Sequence, residues 1–198
     1  VLDVLLGMII FVFSIVLHEI GHAWVAVRLG DPTPKYDGRL TLNPVAHADP
    51  WGSVLVPLMC AISNAPIIGW AKPVEHQHIG EVYVKGRVLD GDLLVSLAGV
   101  AVNFLLAIFA AILGRCIGDG VMYYFLNKVV WVNLVLGVFN LWPVPPLDGW
   151  RIWGTRLPFH WQMFVEQYST FFLVFLFWFS SYLPTYWVAR KLFSFLVG

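Results

Sequence analysis

His18-Glu19-Ile20-Gly21-His22 is the spacing in this chain most suited to chemistry. On a helix, residues four apart share a face, so both imidazoles can bind one metal ion. Glu19 beside them can act as general base toward a water that the metal activates. Three fixed positions in five recur by chance, so the motif alone is weak. Its setting strengthens it, because the apolar stretch from Val4 to Leu29 is long enough to cross a membrane. Ionisable groups inside such a stretch cost roughly 3 kcal/mol each on insertion scales and are usually functional.

A catalytic zinc commonly takes three protein ligands and leaves one position for water, so a third donor is needed at membrane depth. Asp148 is the best candidate. It closes Asn140-Leu141-Trp142-Pro143-Val144-Pro145-Pro146-Leu147-Asp148-Gly149, where the prolines cannot continue a helix and an extended run is expected. Non-helical backbone at membrane depth is tolerated where it is buried in protein or lines a water-filled cavity. The plainer alternative is an Asp-Gly turn at the interface.

The elements that must position these residues are membrane helices. Hydrophobic residues make up 59% of the 198 and charged residues 12%, about half the usual charged share. The mean hydropathy is +0.76. A net charge of zero gives no sign of a nucleic-acid partner. Cys60 and Cys116 sit in apolar runs and read as small buried hydrophobes. The expected fold is an all-α polytopic membrane protein, a single domain over residues 1–198 with its core in about 1–155. Spans are expected at Val4–Leu29, Asp92–Ile117, Val121–Trp142 and Phe164–Leu183, and the first reads as a retained span rather than a cleaved signal peptide. Gly52–Gly69 is ambiguous, and Thr185–Val197 is expected to be interfacial. Asp37-Gly38 predicts a short β-hairpin over Lys35–Leu42, with an irregular loop as the alternative. The polar stretches Gly30–Pro50 and Ala71–Gly91 are too short for a PDZ or nucleotide-binding module.

His18-Glu19-Ile20-Gly21-His22, paired with Asn140…Pro143…Leu147-Asp148-Gly149, resembles the site-2 protease family of intramembrane zinc metalloproteases. Ser96–Asn103 is similar to that family's middle-helix motif. Arg39–Pro44, His47, Asp49-Pro50 and Gly69–Val74 resemble its compact prokaryotic branch without a PDZ domain. The likeness covers about residues 7–155. Val100 departs from it, standing where many relatives have proline, which touches helix geometry rather than metal chemistry.

The resemblance implies one zinc per chain on His18, His22 and Asp148, with Glu19 as the base. Asn140 would donate to the developing oxyanion, or else hold helices together. It implies regulated hydrolysis within or beside the span of single-span membrane proteins in a prokaryotic cell membrane, with the lipid bilayer and a regulatory membrane partner as further contacts. Arg39–Leu42 would offer a strand edge to unwound substrate. Asn103, with Gly99, reads first as a packing stripe and second as part of the site. Gly21 either leaves space beside the metal or lets helices approach. His47 and Asp49 read as entrance-lining or metal-supporting, with a solvated or turn-bonded histidine as the plainer alternative. His76 and His78 read as solvated or turn-bonded, and His160 as interfacial.

The ligands must meet at one depth. His22 lies about 10 Å before Leu29, and Asp148 follows the helix ending near Trp142. Those two helices must therefore run parallel, with Asp92–Ile117 antiparallel beside them. Residues 30–91 then cross an even number of times, so Gly52–Gly69 is expected to be re-entrant. Lys35, Arg39, Lys72, Lys85, Arg87, Arg151 and Arg156 fall on one side, and the positive-inside rule makes that side, with the zinc site, cytoplasmic. Arg190 and Lys191 fit only if the tail turns back. Three other functions compete with proteolysis. An inactive scaffold would not need His18, Glu19, His22 and Asp148 intact. A transporter would commonly show internal repeats, and none is seen. An anchored soluble peptidase would need a longer soluble domain.

Overall fold

The computed structural model describes residues 2–49, 55, 72–84, 87–178 and 184–198. Three helices among them are long and apolar enough to cross a membrane: α1 (Leu2–Arg28), α3 (Gly91–Ile117) and α4 (Val121–Asn140). The short helix α2 (Thr33–Tyr36) and a 3-10 turn at Pro44–His47 follow α1. A two-stranded antiparallel hairpin, β1 (Glu81–Val84) and β2 (Arg87–Asp90), leads into α3. After α4 come α5 (Asp148–Trp153), α6 (Phe159–Gln167), α7 (Ser169–Trp178) and α8 (Pro184–Val197). The chain is a helical membrane protein.

Local signals set the helix ends. Asp3 lies in the first turn of α1 and Arg28 in its last, both favoured by the helix dipole. The Asp90 side chain caps α3 by accepting from the Leu93 N–H at 3.1 Å. Gly118, at φ 85°, ends it.

Contacts fix the directions of the three long helices. Ser14 of α1 meets Asn133 of α4, and Asp3 pairs with Lys128, so α1 and α4 run parallel. His18 meets Asn103 and His22 meets Val95, so α3 runs antiparallel to α1. The expected parallel arrangement therefore holds, and residues 29–90 leave and return at one end of the bundle. Small residues bring the helices close: Ala23 and Ala26 on α1, and Ala107, Ala110 and Ala111 on α3, are all buried. A side chain at Gly21 would meet Val102 Cγ2 at 2.8 Å and the Ala98 carbonyl at 3.2 Å, so Gly21 serves helix approach. Large apolar side chains such as Ile9, Phe11, Leu105 and Phe109 point outward, as lipid-facing residues do.

Several expectations need correction. Lys35–Leu42 is not a hairpin. Asp31 accepts from the Thr33 N–H at 2.9 Å, Pro34 sits at the start of α2, and the chain makes a helical turn that ends at Gly38, φ 66°. Arg39 is buried, with Nη1 donating to the Ala46 carbonyl at 2.7 Å, and residues 40–42 form a bend rather than a strand. The hairpin lies instead at residues 81–90. The expected span Phe164–Leu183 is interrupted at Tyr168, which separates α6 from α7 within the polar run Gln167–Thr170; residues 179–183 lie outside the described residues.

The tail is not a surface strip but packs along α4. Thr185, Ala189, Leu192 and Leu196 share one face. Trp131 meets Tyr186 and Phe193 edge-on, and Trp142 Nε1 donates to Thr185 Oγ1 at 2.6 Å. Cys116 is exposed rather than buried, being in the last turn of α3. Cys60 and the re-entrant segment expected at Gly52–Gly69 fall outside the described residues, Leu55 apart.

Candidate metal centre

Helix α1 carries His18 and His22 on one face, as i,i+4 spacing requires. Their Nε2 atoms are 3.0 Å apart. Asp148 reaches both, with Oδ2 at 3.2 Å from His18 Nε2 and Oδ1 at 3.2 Å from His22 Nε2. Asp148 opens α5. The link from α4 does not run extended as expected but folds back in turns: the Val144 N–H donates to the Trp142 carbonyl at 2.8 Å, and the Leu147 N–H to the Val144 carbonyl at 2.9 Å. Gly149 lies directly against the carbonyls of Leu141 and Trp142, so any side chain there would push Asp148 away from the histidines.

The histidine rings are held from behind. His22 Nδ1 lies 2.7 Å from the Val95 carbonyl, which can only accept, so the proton of His22 sits on Nδ1. His18 Nδ1 lies 2.7 Å from Asn103 Oδ1, which makes it a donor too. Both Nε2 atoms then present lone pairs to each other and to a carboxylate. Asp148 Oδ2 is buried and receives no hydrogen bond among the described residues. With both imidazoles neutral, these four facing acceptors repel unless a cation lies between. Ligands of one tetrahedral zinc stand roughly 3.3 Å apart, given bonds of about 2.0 Å, close to the separations seen. The His-His-Asp set and its outer partners therefore fit zinc.

Gly99 of α3 supplies the floor. A Cβ there would lie 2.7 Å from His18 Cε1 and would run into the His22 ring, so the two rings occupy the room a side chain would take. Asn103 is thus a partner of His18 and a helix contact at once.

A segment without helix or strand, residues 72–80, crosses the same end of the bundle. The Val74 N–H donates to Glu19 Oε2 at 3.0 Å and the Gln77 N–H to Asp31 Oδ2 at 2.7 Å. The Ile79 N–H donates to Asp92 Oδ1 at 3.2 Å. Burial raises the Asp31 carboxyl, but the Thr33 and Gln77 amides outweigh it and hold the group below its ordinary value. The same segment packs His76 against Arg151 and Asp92, while exposed His78 pairs with Asp92.

Other residues read from the sequence lie further out. Asn140 stands at the end of α4, where Nδ2 donates to the Leu136 carbonyl at 3.0 Å, leaving its second N–H. His47 is buried and turn-bonded rather than solvated: its Nε2 lies 2.9 Å from the Thr41 carbonyl, and its own carbonyl accepts from the Lys72 N–H. His160 is exposed on α6. Sequence reasoning missed the Val95 carbonyl and the Val74 amide, which carry no side-chain signal, and the roles of Ser14 and Asn133. Polarity within an apolar helix was the signal for the last two.

Apolar helices that bring two histidines and an aspartate together define a membrane protein with a metal centre. Known proteins make this specific. The chain is 36% identical over 189 residues to "Putative zinc metalloprotease YwhC" of Bacillus subtilis, covering 90% of this chain and 81% of that protein. It is 32% identical over 146 residues to "Putative zinc metalloprotease Rip2" of Mycolicibacterium smegmatis, spanning 71% of this chain and 52% of that one. With "Zinc metalloprotease MJ0392" of Methanocaldococcus jannaschii it shares 28% over 146 residues, 73% of this chain and 32% of that one. No family model and no solved structure matches. The chain belongs to the zinc metalloprotease family that includes YwhC.

Proposed function

We propose that the chain is a site-2 protease-like intramembrane endopeptidase of the compact branch without a PDZ domain, holding one zinc on His18, His22 and Asp148. Its substrates are single-span membrane proteins, cut in or near the span. The observation that carries this reading is the cluster of two Nε2 atoms 3.0 Å apart, each 3.2 Å from an oxygen of Asp148, between three apolar helices.

A bound zinc supplies Lewis acidity, making a water a better nucleophile and a carbonyl a better electrophile. Glu19 accepts the proton of the attacking water and returns it to the leaving amine. The Val74 amide holds one carboxylate oxygen of Glu19 in place. Asn140 has one N–H left for the developing oxyanion, worth about 3 kcal/mol where the geometry is right. Arg39, Arg151 and Arg156 lie on elements at the metal end of the bundle, which supports a cytoplasmic site. A regulatory membrane partner belongs to the same reading.

Wild type and Glu19→Gln, reconstituted in liposomes, are compared for zinc content and for cleavage of a panel of single-span substrates. Zinc retained with cleavage lost supports the mechanism. Equal cleavage by both rejects it.

A further inference from the structure

Behind His18 a chain of polar side chains crosses all three spans. Ser14 lies one turn before His18 on α1, Asn103 on α3 and Asn133 on α4, and each is almost fully buried. Asn133 Nδ2 donates to Ser14 Oγ at 3.0 Å and to the carbonyl of Val129, in its own helix, at 2.9 Å. Its Oδ1 accepts from Asn103 Nδ2 at 3.0 Å. Asn103 Oδ1 in turn faces His18 Nδ1.

Only one orientation of each amide satisfies this chain. The Val129 carbonyl cannot donate, so the nitrogen of Asn133 must face it. The oxygen of Asn133 must then face Asn103, which places the oxygen of Asn103 against His18. Turning Asn103 over would offer an N–H to Nδ1. The proton of His18 would then move to Nε2, into the space shared with His22 and Asp148.

We infer that Asn133 is a positioning residue for metal binding: through Asn103 it dictates which nitrogen of His18 is free to bind zinc. This rests on the proposed zinc site and extends it to residues that touch no ligand. His22 needs no such relay, since the Val95 backbone carbonyl sets its proton directly.

The full chain in detergent is stripped of metal and titrated with zinc against a chromophoric chelator, and with cobalt for its visible spectrum. Asn133→Leu, which keeps the volume and removes the polarity, is expected to weaken zinc about tenfold or more and to alter the cobalt bands. Asn133→Ala serves if that variant does not fold. Leu126→Ala, at the far end of the same α3–α4 contact, is expected to lower Tm while holding zinc affinity within about twofold. The decisive variant is Asn103→Asp combined with Asn133→Leu. A carboxylate presents an oxygen to His18 whichever way it turns, so zinc affinity and the cobalt bands should recover to within about threefold and to the wild-type shape. Wild-type affinity in Asn133→Leu, or a double variant no better than the single one, overturns the relay and leaves the zinc site standing. Wild type that binds neither zinc nor cobalt overturns both.

Discussion

The backbone N–H of Val74 donates to Glu19 Oε2 at 3.0 Å, so the proposed base is held by a segment 55 residues away in the chain. Val74→Pro removes that donor and follows Pro73, where extended backbone is already favoured. A hydrogen bond to a charged group is worth about 1.5–3 kcal/mol. Cleavage should fall roughly 10- to 100-fold by the same conversion, with zinc content unchanged. Val74→Ala keeps the N–H and should retain far more of the activity. Steady-state cleavage of one single-span substrate distinguishes the two.

Gly99 borders both histidine rings. Gly99→Ala should cost about 1–3 kcal/mol through overpacking and weaken zinc by roughly tenfold, since the rings must give way. Chelator competition and a thermal melt read the two effects. A variant with wild-type zinc affinity would show that the rings can move without leaving the metal.

Asp31 ties α2 to the segment that carries Val74, and its carboxyl is held below the ordinary range by the amides it accepts. A lowered folded value stabilises above the unfolded value of about 3.9 and is lost as pH falls through the folded one. At pH 7, Asp31→Asn should therefore be less stable by about 1–3 kcal/mol. The gap should begin to narrow as pH falls below about 4. Melting both proteins across pH 3–7 tests the sign; a gap that widens in acid would reverse it.

Metal removal should loosen the bundle. A ligand present at a thousand times its Kd adds about 4 kcal/mol to the folded state. Dipicolinate should therefore lower the Tm of wild type, and zinc should restore it. Asp148→Ala, lacking the carboxylate that meets both histidines, should melt at one temperature with or without chelator.

Much of this architecture is legible in the residues themselves. His18, Glu19 and His22 announce the centre by spacing, and the requirement that Asp148 meet them dictates that α1 and α4 run parallel. The hairpin is misplaced because Asp37-Gly38 suits the end of a helical turn as well as a β-turn, and the prolines at 32 and 34 decide for the helix. The break at Tyr168 is hidden because the polar run Gln167–Thr170 adjoins a strongly apolar stretch. Val74 is not readable as a partner of Glu19, because the group it contributes is one every residue but proline has. Asn133 looks like a lone amide in an apolar helix until its three partners, on three different helices, are in view.

The two histidines are secured by unlike means, and this has a consequence for how the sequence can drift. Val95 offers only its carbonyl to His22, so many residues at position 95 could keep that support while packing changes around it. His18 depends on side chains at 103, 133 and 14, each of which is a place where a single substitution is felt. Descendants of this chain should be free to vary around one ligand and constrained in concert around the other, with changes at 103 and 133 arriving as pairs.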